Sequence, residues 1–164
     1  MKKTANMEEI EMLLTQNRTE ERNLFFQRIM ILSYRKMSYL DEILRLTREI
    51  GESLDRDDRV SVQLLLVSRQ EEMEKLDICR VELHEEADLL QGEELKELES
   101  ILKGQFDGPK GEDAVIMAEH GELFNLGKIN AYSRMSKKHL DDIIRLDERM
   151  SNRVAGEDSF YRKR

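Results

Sequence analysis

Apolar residues recur along this chain in steps of three and four, the spacing that gathers side chains on one face of an α-helix. Phe26, Ile29, Met30, Met37, Leu40, Ile43, Leu44 and Ile50 form one such run. Thr19 stands before it as an N-cap, with Glu20 and Glu21 in the first turn, where acids suit the helix dipole. The spacing predicts a helix over 19–54. "DRDD" at 55–58 predicts a turn, with Asp57 or Asp58 capping the next helix. Val62, Leu65, Leu66, Met73, Leu76, Leu83, Ala87 and Leu90 then predict a second long helix over 57–90. A third, over 122–155, is predicted by Leu126, Ile129, Tyr132, Met135, Leu140, Ile143, Ile144, Met150 and Val154. Shorter helices are expected at 6–17, where Asn6 and Glu9 make a capping-box pattern, and at 93–103. Gly156 is a natural stop, leaving 156–164 as a flexible tail.

The first two long helices are joined by only a few residues, so they must fold back on each other. The expected architecture is all-α: an elongated antiparallel bundle forming a single helical domain over 1–155. Composition agrees. The chain has 164 residues, 39 % hydrophobic and 38 % charged, with one proline and no tryptophan. That apolar share suits long helices with one stripe each better than a thick core. "GQFDGPKG" at 104–111 is the clearest loop or hinge.

Charge narrows the partner classes. The net charge of −8 argues against a nucleic-acid binder, which needs a basic face. All of that excess falls in 57–103, which carries fourteen acids and six bases. An acidic middle is a solvated face or a guide for a basic partner. No stretch approaches a membrane span, "MKKTA" leads into acids rather than an apolar run, and Cys79 is the only cysteine. These features lead to the expectation of a cytoplasmic protein without membrane insertion.

Catalytic chemistry finds little footing. The three histidines are His84, His120 and His139, and none completes a Glu-x-x-His motif. "HEEAD" at 84–88 has Asp88 where a zinc-protease helix needs its second histidine. The Gly-rich loop lacks the Ser or Thr that should come after Lys110 in a phosphate-binding loop. Arg69 and Arg80 fall near the apolar seam. They are read as stems packed on a neighbouring helix with heads reaching acids, an arginine-lined helical enzyme being the remote alternative. No catalytic residue, cofactor or metal is assigned, and the chain is expected not to be an enzyme.

Binding is favoured instead. Nine methionines are many for this length, and flexible thioethers suit adaptable apolar surfaces. Met117, Met135 and Met150 lie in the last third, near Gly121 and Gly127. Leu126, Ile129, Met135, Leu140, Ile143 and Met150 are therefore the candidate surface for a partner's amphipathic helix. Self-association through the same stripes, as a homodimeric coiled-coil structural or regulatory adaptor, is the alternative.

Residues 39–90 carry a further pattern. "YLDEILRLTREIGESLDRDD" precedes "VQLLLVSRQEEMEKLDICRVEL", with Leu65, Arg69, Gln70, Glu71, Leu76 and Arg80 in one register. This stretch, about a third of the chain, resembles the flagellar export chaperones of the FlgN and FliT kind. The resemblance implies a cytoplasmic chaperone of bacterial type III export. Such a protein would hold a helical segment of a late flagellar substrate on its C-terminal amphipathic helix.

Overall fold

The computed structural model describes residues 2–105 and 121–162, and every element among them is helical. In chain order these are α1 (Lys2–Asp55), α2 (Arg59–Ala87), α3 (Glu93–Leu102) and α4 (Gly121–Arg162). The helices expected at 6–17 and 19–54 are one. "TQNRT" contains no glycine or proline, and its residues cost only a few tenths of a kcal/mol each in a helix, about 0.5 on average, so nothing breaks the ladder. Thr15 turns its hydroxyl onto Glu11 O at 2.8 Å, and Thr19 lies inside α1 rather than at a helix start. At about 1.5 Å per residue, α1 is roughly 80 Å long.

The α1–α2 turn forms where its acids predict. Asp57 adopts a φ of 54°, an unusual backbone that Asp tolerates, and so reverses the chain. Asp58 then caps α2, accepting from Ser61 N at 3.1 Å and from the Ser61 hydroxyl at 2.6 Å. α2 stops at Ala87 rather than 90, and Gly92, at φ 65°, leads into α3. At the other end of the chain, α4 runs through Gly156 to Arg162, so that glycine does not end it. The expected hinge at 104–111 lies outside the described residues apart from Gly104 and Gln105.

The cross-helix contacts give the topology. Cys79 donates to Leu32 O at 3.2 Å and Glu86 meets Arg28 at 3.4 Å, so α2 descends along α1 as an antiparallel hairpin. α4 ascends alongside α1. Asn125 donates to Asn23 O, Tyr132 packs edge-on against Tyr34, His139 faces Asp41, and Arg153 pairs with Asp55. α1 and α4 are therefore parallel to each other, as an up–down–up bundle requires, and both are antiparallel to α2. Arg69 ties α2 to α4 by a two-pronged ion pair with Asp147, at 2.9 and 2.6 Å.

Two apolar clusters fill the seam. The lower one joins all four helices through Phe25, Phe26, Ile29, Leu32, Cys79, Leu83, Leu98, Ile101, Leu126 and Ile129. The upper one is smaller: Leu40, Ile43, Leu44 and Ile143, flanked by Leu76 and Leu146. Burying one such aliphatic side chain is worth about 1.5–3 kcal/mol. No helix among the described residues is long and apolar enough to cross a membrane.

Candidate protein-binding surface

The six residues expected to meet a partner divide between the interior and the surface. Leu126, Ile129 and Ile143 are buried against α1. Met150 is half-buried and packs over Gly51, whose missing Cβ would sit 3.8 Å from its sulfur. Only Met135 and Leu140 are exposed. The regular spacing that selected these residues marks the core face of α4, and in this closed bundle α1 covers it. A partner could reach that face only by displacing α1 or α4.

The open apolar surface lies on α2. This helix carries two stripes on opposite sides, each advancing by alternate steps of three and four. The inner stripe runs Leu65, Arg69, Glu72, Leu76, Cys79 and Leu83, all buried or half-buried. The outer stripe runs Val60, Leu64, Val67, Glu71, Glu74, Ile78 and Val81, all exposed. Its five aliphatic members are 57–70 % exposed. A helix with an apolar stripe on each side is built to be covered on each side, and a run of exposed aliphatics on one face is the mark of an interaction surface. Sequence reading fixed on the inner stripe and missed the outer one. The signal was present at 60, 64, 67, 78 and 81, interrupted by two glutamates.

That interruption carries information. Glu71 and Glu74 occupy the centre of the stripe, with apolar residues on either side. If two copies paired antiparallel about Glu71, Leu64 would face Ile78, but Glu71 would face itself. Like charges across a seam are destabilising. A partner helix with lysine or arginine at its middle would relieve the same contact.

A second open surface is the free end of α1. Residues 6–18 are exposed throughout, including Met7, Ile10, Leu13 and Leu14. Met7, Ile10 and Leu14 share one face by their spacing. The end extends roughly 25 Å beyond the level at which Arg22 meets Glu94 at the start of α3.

The register Leu65, Arg69, Gln70, Glu71, Leu76 and Arg80 divides between the scaffold and the surface. Leu65, Arg69 and Leu76 face inward, and Arg69 braces α4. Arg80 is exposed and lies 3.9 Å from Asp77. Arg69 thus reaches an acid on a neighbouring helix from a largely buried position, as expected, whereas the acid near the exposed Arg80 lies on its own helix. His84 lies 3.8 Å from Asp88 on the surface, and among the described residues no group of three or more His, Cys, Asp or Glu is placed to hold a metal ion. Compared with family models, with curated proteins and with solved structures, the chain finds no match in any of the three.

Proposed function

We propose that this chain is a protein-binding helical bundle that holds a helical segment of another protein along the outer face of α2. The supporting observation is the exposed stripe Val60, Leu64, Val67, Ile78 and Val81 on a helix whose other side already packs in the core. Helix-on-helix docking would add a further long helix to the bundle and bury both apolar surfaces. The acidic centre of the stripe selects a partner helix that is apolar at both ends and basic between them. In this reading the role is binding rather than catalysis. The resemblance over 39–90 supports the finer assignment: a cytoplasmic chaperone of flagellar export, shielding an aggregation-prone helix of a late substrate. The binding face differs from the one that resemblance implied, since α4 contributes to the core.

The test is capture of partners from motile cells by the tagged chain, alongside a variant carrying Leu64→Asp and Ile78→Asp. Both positions are exposed, so the variant should keep the helical signal and melting temperature of the parent. Recovery of a hook-associated, cap or export-gate protein by the parent and not by the variant is the expected result. Recovery of the chain alone, with dimers by sedimentation, overturns the chaperone reading in favour of a homodimeric adaptor. Equal recovery by both proteins removes α2 as the docking face.

A further inference from the structure

A cavity of about 320 Å³ opens where the end of α3 meets α1 and α4. Its polar lining is Lys36, Lys103, Gln105, Ser133, Ser136 and Lys137. Among the described residues, three lysines and no carboxylate line it, in a chain whose net charge is −8. Some basic side chains of the bundle face acids across short distances: Arg22 with Glu94, Arg45 with Glu42, Lys75 with Glu72, and Arg69 with Asp147. Among the described residues no ion pair takes up Lys36, Lys103 or Lys137. Burial holds the Lys36 ammonium below the usual lysine range, and the nearby Arg80 guanidinium pushes it the same way. Ser136 is buried, and its hydroxyl has no hydrogen-bond partner among the described residues. A buried hydroxyl left unpaired and a desolvated cation left without a counter-charge are both unfavourable. One anion in the cavity would relieve both.

The wall that makes the cavity is built in. Gly104 has a φ of 71°, and Arg134 donates from Nε to Gly104 O at 2.8 Å, pinning the end of α3 to α4. A Cβ on Gly104 would stand 2.7 Å from Arg134 Cγ and 3.3 Å from its backbone nitrogen, so only glycine permits the approach. That contact sets Lys103 and Gln105 opposite Ser133 and Lys137.

We propose that this cavity binds a phosphate group carried by a small molecule. Lysines lining one space suit a compact polyanion, because lysine acts as a point charge rather than a planar fork. A hydroxyl and a side-chain amide supply directional donors. Leu40, Leu102 and Leu140 give the apolar remainder of the lining, against which an organic body would lie. The site is separate from the outer face of α2, and the proposal does not depend on partner binding there.

The test is titration of the isotopically labelled full chain with inorganic phosphate at low ionic strength, monitored by amide NMR. Saturable shifts centred on 36, 103–105 and 133–137 are expected. Lys36→Met, which keeps the packed stem, should weaken binding about tenfold, and Lys137→Gln, on the exposed rim, about threefold. If Lys36→Met fails to fold, Lys137→Gln decides. Phenyl phosphate distinguishes the sources: tighter binding than inorganic phosphate identifies a phosphate monoester, equal binding the free ion. Shifts that never saturate, that spread over all surface lysines, that persist unchanged in the variants, or that acetate reproduces at equal concentration overturn the proposal.

Discussion

At the scale of single residues, the same chemistry does different work according to what surrounds it. Asp57 and Asp58 are neighbours. One supplies an uncommon backbone geometry at a turn, while the other caps α2 with its carboxylate. The Ser61 hydroxyl and then the Ser61 backbone N–H hold the Asp58 carboxyl below its usual range. Its folded pKa is therefore depressed, so its contribution to stability is complete above about pH 4 and fades as pH falls through the lowered value. Asp58→Ala should accordingly melt at a lower temperature than the parent at neutral pH. The difference should close on acidification, and thermal scans read by circular dichroism across that range would show it. A gap independent of pH would mean that the aspartate acts through turn geometry rather than as a charged cap. Cys79 is also decided by surroundings. Burial pushes its thiol up, and it donates to Leu32 O, so it belongs to the packed interior of the hairpin.

At the scale of elements, α2 is held more firmly on one side than the other. It packs along α1 over its length but meets α4 chiefly through Arg69 and Asp147. Arg69 is largely buried and its two prongs match the carboxylate, so this pair should contribute more than a solvated one. A double-mutant cycle with Arg69→Ala and Asp147→Ala, read from denaturant unfolding, should give a coupling energy of roughly 1–2 kcal/mol. A coupling near zero would show that the α2–α4 seam is held by its apolar contacts alone. The register of this brace accounts for an arginine set among leucines on α2. The position of Arg69 among leucines was legible in the chain, but its acid lies 78 residues further on, and no local spacing could name it.

Across the whole molecule, the bundle has a packed body and an uncovered end. Removing residues 1–18 should change the unfolding free energy by less than about 1 kcal/mol, because the described side chains there touch little besides their own helix. Ile29→Ala, in the lower cluster, should cost about 2–5 kcal/mol. Comparing the two by chemical denaturation tests whether α1 beyond the body is scaffold or surface. A large loss on truncation would mean that the end folds back on the bundle in solution.

The helical class, the hairpin at 55–58 and the three long helices were determined by the chain itself. Hydrophobic periodicity, acids at a turn and the near absence of proline are local properties, and they act without knowledge of the rest of the molecule. The fusion of the first two helices was less visible, since a polar stretch without glycine or proline weakens a helix without ending it. Tertiary structure alone decided which apolar stripe is core. Leu126, Ile129 and Ile143 have the same kind of spacing as Leu64, Val67 and Ile78, yet the first set is buried and the second exposed. The reason is geometric: a stripe becomes interior only when another helix lies over it. Here α1, long enough to accept α2 on one side and α4 on the other, covers the inner faces of both. The three lysines at the cavity are brought together in the same way, from three stretches far apart in the chain.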